Sequence, residues 1–256
     1  MAGRDWILAE TNWKAVQENG CEVVVLPWGA TEAHNFHLPY ATDNFQCDYI
    51  AAESCRRAWE SGAKVLCLPT VPFGVNTGQI DLPLHLNLNP STQALILRDI
   101  AGALSRQKIP KLVILNGHGG NDFRQMIREL TPQLPIWIGV LNWYQMADAS
   151  KYFEDLGDHA GETETSAMLH IAPDLVRPLD EAGSGREFHF VIPALRSRRV
   201  WAPRDWPRAT QDTGIGDPSC ATAEKGRAFL EAVAAATGDF LIELAATKIE
   251  DFYEKP

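Results

Sequence analysis

Four short apolar runs, each followed by a stretch of helical spacing, constrain this chain more than any other feature. Residues 23–26 (VVVL, closed by Pro27), 64–69 (KVLCLP), 111–115 (KLVIL) and 135–141 (PIWIGVL) are too short for helices and read as buried strands. Between them the spacing predicts helices. Residues 45–61 place Ile50, Ala51, Cys55 and Trp59 on one face, with Gly62 ending the run. A second helix runs from a Ser91 or Thr92 cap to about residue 107, and a third over residues 122–130. A short helix over residues 12–19, capped by Thr11, precedes the first strand. A further helix starts near Glu162, and residues 222–249 close the chain as a long alanine-rich helix. Alternation of this kind predicts an α/β fold with a mainly parallel sheet covered by helices on both faces. From residue 177 to 218 the pattern dissolves into Pro, Gly, Arg and Trp, with only residues 188–192 alternating like a strand. Without an internal repeat or a linker, residues 1–256 read as a single domain.

The segments after these strands carry the chemistry. Glu32, His34, His37 and Asp43 fall within twelve residues of one another just past the first strand. Sites in open α/β folds form beyond the carboxyl ends of strands. Mixed carboxylate and imidazole donors suit zinc, manganese or iron better than magnesium or calcium. A polar surface loop with ordinary histidines would contain the same residue types, so the rest of the chain must decide. His118 follows the third strand, and His159 and Glu164 follow the fourth. A parallel sheet would bring all three groups to one edge.

His118 sits in NGHGGN, where Gly117, Gly119 and Gly120 allow close approach of a ligand or metal. A tight strand-to-helix turn with an incidental histidine is the alternative for that segment. Neither GxxxxGK[ST] nor GxGxxG is present, which argues against a phosphate loop. The connection over residues 70–90 is long for a compact domain, as expected of a segment lining a site. His85, His170 and His189 lack ligand spacing and read as core or surface residues. Trp143 and Tyr144 read as pocket walls or core.

The formal net charge of −10 would repel a polyanion and argues against nucleic-acid binding. No apolar run approaches the roughly 18–20 residues of a membrane span, and no signal peptide is visible, so a cytoplasmic location is expected. The five cysteines are odd in number and lack CxxC spacing. They read as free thiols acting as small apolar residues rather than as disulfides, zinc ligands or a nucleophile.

Taken together and in order, WGATEAHNFHLPYATD, LPTVPFGVN, NGHGGN, DHAGETETS and GIGDPSCATAEKG resemble the creatininase (creatinine amidohydrolase) family over residues 23–226. The resemblance implies a three-layer α/β/α fold and a two-metal site, usually zinc and manganese, with iron in some relatives. By motif position it implies that Glu32 and His118 hold one metal, His34 and Glu164 the other, and that Asp43 bridges them. His159 matches the family's catalytic histidine. The implied activity is hydrolysis of a non-peptide C–N bond in a small amide, cyclic amide or formamide by metal-activated water. Peptide trimming, lactone hydrolysis and noncatalytic metal or ligand binding remain open. A small-molecule amide substrate and a homo-oligomer, hexameric by resemblance, are the implied partners. One departure stands out: creatininases proper carry an acidic residue where this chain has Gly120. The chain therefore reads as a member outside the creatinine-specific branch, with the coordination of the first metal left open. Residues 141–145 (LNWYQ) and those after Arg177 match no known substrate-binding residues.

Overall fold

The four apolar runs pair into one parallel sheet. In the computed structural model, which describes residues 3–254, β1 (Val23–Trp28), β2 (Val65–Cys67), β3 (Lys111–Asn116) and β4 (Trp137–Asn142) lie in the order β2-β1-β3-β4. All three pairings are parallel, with Val23 opposite Lys111 and Trp28 opposite Asn116 at the centre. β1 and β3 are buried along their whole length, which is why their sequences are near-continuous in apolar residues.

Among the described residues, eight α-helices flank the sheet or its loops: α1 (Trp13–Asn19), α2 (Thr42–Glu60), α3 (Pro90–Arg106), α4 (Arg124–Leu130), α5 (Glu162–Ile171), α6 (Pro193–Arg196), α7 (Trp206–Ala209) and α8 (Ala223–Ala246). The two-residue period of a strand sorts its side chains between two cores. Val23, Val25, Val113 and Leu115 pack with Ile50 and Cys55 of α2 and Phe229, Leu230 and Val233 of α8. On the opposite face Val24, Leu26, Leu112 and Ile114 pack with Leu97 and Ala101 of α3 and Met126 and Leu130 of α4. The result is the expected three-layer α/β/α arrangement.

Several boundaries differ from the sequence expectation, each for a local reason. Pro27 lies inside β1 rather than ending it. Its carbonyl accepts from Val71 N (3.0 Å) on the β2 side, and β2 itself ends at Cys67, opposite Val25. The missing proline N–H therefore falls where no strand remains to be paired. α2 begins at Thr42, three residues early, which draws Asp43 into its first turn, where a carboxylate is favoured by the helix dipole. Asn12, not Thr11, caps α1, its Oδ1 accepting from Lys14 N and Ala15 N. Asn89 rather than Ser91 or Thr92 takes the cap position of α3, which begins at Pro90, since proline is tolerated at a first helical position. α4 begins at Arg124 rather than Asp122, whose carboxylate accepts from Arg124 N (3.1 Å). Residues 188–192 form no strand: no neighbouring strand takes up their backbone, and Val191 is 94% exposed. The last helix stops at Ala246, and Ile249 begins a separate 3-10 turn.

The five cysteines are free; Cys47, Cys55 and Cys67 are buried in the apolar core. Trp143 is also core, packed against Phe229. Among the described residues no helix is long and apolar enough to cross a membrane. Phe229 is fully buried and touches the rings of Trp143, Tyr152 and Phe153, so it ties α8 to the segment leading into the site. Phe229→Ala is expected to lower the unfolding free energy by about 4 kcal/mol in urea denaturation. A loss below about 1 kcal/mol would show that this cluster does not anchor α8.

Candidate metal centre

The site forms where β1 and β3 end side by side. From β1 the chain turns through Gly29 and Ala30 into the loop carrying Glu32 and His34. Three contacts fix this loop: Thr31 Oγ1 donates to Pro72 O (2.8 Å), Glu32 N to Tyr40 O (3.1 Å) and Ala33 N to His85 Nε2 (2.6 Å). Asp43 follows in the first turn of α2. From β3 comes His118, and from the segment before α5 come His159 and, in the first helical turn, Glu164. His159 is held by a two-way backbone pairing with Ile215 (3.0 and 2.7 Å), and Glu164 Oε2 accepts from Ala160 N (2.6 Å).

These side chains converge. His118 Nδ1 lies 2.7 Å from Glu32 Oε1 and 3.2 Å from Asp43 Oδ2. His34 Nε2 lies 3.0 Å from Asp43 Oδ1 and 3.9 Å from Glu164 Oε2. His159 Nδ1 is 4.0 Å from Glu32 Oε1, and its ring stacks on His34 with centroids 4.1 Å apart. Among the described residues, three overlapping groups have ligand atoms within 4.8 Å of one another: Glu32, Asp43 and His118; His34, Asp43 and Glu164; and Glu32, His34 and His159. Asp43 is common to the first two. The third includes the histidine expected to be catalytic rather than ligating.

The histidine tautomers are set from the backbone. A carbonyl can only accept, so His34 donates Nδ1–H to Glu32 O (3.1 Å), His118 donates Nε2–H to Val75 O (3.0 Å) and His159 donates Nε2–H to Ala33 O (2.8 Å). In each ring the other nitrogen is the one that faces carboxylates. Neutral rings would direct lone pairs at carboxylate oxygens inside a buried site, so a cation is required between them: a proton or a metal. Glu32 is almost fully buried, and its Oε2 has no hydrogen-bond partner. An orphaned buried carboxylate oxygen is costly unless a cation meets it. The donor set and its geometry therefore fit divalent metal.

The electrostatics agree. Burial works against charge on His34, yet Asp43, with Glu164 and Glu32 behind it, raises its pKa to about 10. His118 is likewise raised well above its ordinary value, burial being outweighed by Glu32 and Asp43. Asp43 is lowered despite burial by His34 and His118, and Glu32 despite burial by His118 and His159. Burial raises Glu164, with His34 and His159 only partly offsetting it.

His37, grouped with the potential ligands by sequence proximity, lies outside the cluster. It pairs with Thr165 Oγ1 at 2.8 Å, and burial followed by the His34 charge lowers it to about 4. His85 is buried and structural: Nδ1 donates to Gln79 O (3.2 Å) while Nε2 accepts from Ala33 N. Asn121 supports His118 through Val75, its Oδ1 accepting from Val75 N (3.0 Å) and Gln93 Nε2 (2.8 Å). Trp206 meets His159 edge-on at 4.8 Å. Neither supporting contact has a sequence signal, because each joins residues far apart in the chain.

A cleft of about 810 Å³ opens over Glu32, His118 and His159, walled by residues 75–79 and by parts of the segment 187–206. Gly120 borders it. A Cβ there would lie 2.2 Å from Val75 O and 2.4 Å from His118 Nε2. The carbonyl that orients His118 thus occupies the space into which an acidic side chain would project.

A profile of the creatinine amidohydrolase (creatininase) family matches residues 9–241. The chain belongs to the creatininase family. The mycofactocin precursor peptide peptidase of Mycolicibacterium smegmatis is 30% identical over 219 residues, 82% of this chain and 81% of that protein. A 2-amino-5-formylamino-6-ribosylaminopyrimidin-4(3H)-one 5'-monophosphate deformylase from Methanothermobacter marburgensis is 31% identical over 153 residues, 57% of this chain and 58% of that protein. Creatininase relatives are thus hydrolases acting on carbon–nitrogen bonds. The crystal structure of a candidate creatinine amidohydrolase from Bacteroides fragilis matches with a TM-score of 0.91 and 42% identity, covering 98% of this chain and 99% of that one. A zinc–zinc creatininase variant and a manganese creatininase, each 24% identical, share the fold with TM-scores of 0.78 and 0.77, covering 95% of this chain and 100% of theirs.

Gly120→Ala is expected to push Val75 away from His118 and weaken metal binding about 10–100-fold, measured by equilibrium dialysis. Unchanged affinity would mean that the Val75 carbonyl does not orient His118.

Proposed function

We propose that this chain is a metal-dependent hydrolase that cleaves an amide-type C–N bond, in an amide, cyclic amide or formamide, of a small molecule. The observation that carries the reading is the set of three histidines tethered to backbone carbonyls with their free nitrogens facing three carboxylates. In this reading Glu32 and His118 hold one divalent ion and His34 and Glu164 the other, with Asp43 between them. Zinc or manganese suits these donors, and iron is compatible. When bound, such ions supply Lewis acidity toward a carbonyl and lower the pKa of water.

The chain's own residues do the rest. His159 has one ring nitrogen committed to Ala33 O, leaving Nδ1 to carry a proton to the departing nitrogen. Trp206 meets that ring edge-on, with centroids 4.8 Å apart. Resemblance to creatininases also supports a single functional unit over the whole chain, a homo-oligomer and a cytoplasmic location. Trimming of a short peptide is the second reading, favoured by the 30% identity to a precursor peptide peptidase and by a cleft far larger than a single small ring.

Three outcomes test the proposal. Native protein is expected to bind about two metal ions per chain, and Asp43→Ala to lose both together, by elemental analysis. Loss of one alone would sink the bridging role. Metal added to stripped protein at pH 8 should release at least about one proton per chain, read with a pH indicator. The sign follows from His34, which Asp43 raises to about 10: it is protonated at pH 8 and must be neutral to ligate, and the upward shift of His118 by Glu32 and Asp43 acts in the same direction. His159→Gln should keep its metal while turnover of a formamide or cyclic-amide substrate falls about 10²–10⁴-fold. Metal loss in that variant would instead make His159 a ligand.

A further inference from the structure

The outer wall of the cleft carries a second chemistry. The chain is acidic overall, with a formal net charge of −10, yet Arg196, Arg198 and Arg204 all line this one cleft. Arg204 is committed: its guanidinium meets Asp158 Oδ2 at 2.9 Å and Glu187 Oε1 at 3.3 Å and lies over the Trp206 ring. Those contacts also occupy two of the acids on the wall, while Asp122 turns its carboxylate to Arg124 N. Arg196 and Arg198 have no acidic partner among the described residues, and both are exposed. Arg196 ends α6, and Arg198 is held at φ 57 in a turn closed by its own N–H to Leu195 O (3.0 Å). Beside them Phe190, Leu195, Val200 and Trp201 add apolar lining, Trp201 being 83% exposed.

Guanidinium groups are forked donors that match carboxylate and phosphate oxygens. Two of them, free of internal partners at the mouth of a cleft in an acidic protein, concentrate anions where the chain as a whole repels them. The cleft volume leaves room for a substrate extending well beyond its reacting amide. We propose that Arg196 and Arg198 form an outer subsite for an anionic tail, a carboxylate or a phosphate, of the substrate, with Val200 and Trp201 against the apolar part of that tail. The link to catalysis rests on the hydrolase reading; the anion subsite does not.

The test is titration of the metal-loaded protein, followed by fluorescence of the cleft tryptophans, with N-acetylphenylalanine, its neutral amide and phenyl phosphate. At least one anion should bind about tenfold more tightly than the amide, and added salt should erode the preference. Arg196→Gln/Arg198→Gln should abolish the preference with metal content and circular dichroism unchanged, and Arg198→Gln alone should reduce it. The ratio of carboxylate to phosphate binding identifies which anion the subsite takes. Binding of both anions no tighter than the amide, or no saturable binding of any probe, would overturn the proposal. So would a preference that survives in the double variant, since the anion would then sit at the metals. Anion preference without any turnover would instead count against the hydrolase reading alone.

Discussion

The structure is built around three carboxylates, two buried and one half-buried, set beside three buried imidazoles. Moving an isolated carboxylate out of water costs several kcal/mol, and Glu32, Asp43 and Glu164 share one small site. Each arrives with compensation already in place. Asp43 and Glu164 lie in the first turns of α2 and α5, where helix N-termini favour negative charge. Glu32 leaves β1 directly against His118, which leaves β3. In the order β2-β1-β3-β4 the chain crosses from β1 to one side for β2 and to the other for β3, so β1 and β3 flank the switch point where such folds open a crevice. Sheet order, helix placement and charge compensation therefore select the same place.

The parts of this arrangement legible in the sequence are those whose physics is local. β1 and β3 could be read because strands buried on both faces must be apolar at nearly every position. The residues now clustered at the site could be found because short strands in a parallel sheet bring their following segments to one edge. Pro27 misled because its effect depends on how far β2 extends, a fact about another segment. Residues 188–192 alternate like a strand but have no strand to pair with; their side chains are exposed, and His189 and Phe190 border the cleft. His85 and Val75 were illegible as supports. One acts through a ring nitrogen on the backbone of Ala33, and the other through a carbonyl that every residue type possesses.

Gly120 shows how a single departure from a motif can reflect a change in a distant loop. The Val75 carbonyl orients His118 and at the same time fills the space a side chain at position 120 would need. Glycine there and the path of residues 70–90 are one structural choice. Asn121 fixes that choice by accepting from Val75 N while its amide donates to Asn116 Oδ1 at the end of β3. An acidic residue at 120 would therefore have to be accompanied by a different loop.

The site thus divides into an inner part with little freedom and an outer part with much. Every residue of the candidate cluster is held by a strand end, a helix N-terminus or a backbone carbonyl, so few substitutions there leave the geometry standing. The wall over residues 187–206 has no sheet partner, only short helical turns, and several exposed side chains. Loops placed on a rigid scaffold can vary without disturbing what they surround. A family that shares one fold can in this way serve unrelated substrates, since exposed loops can change at little cost to the scaffold beneath them.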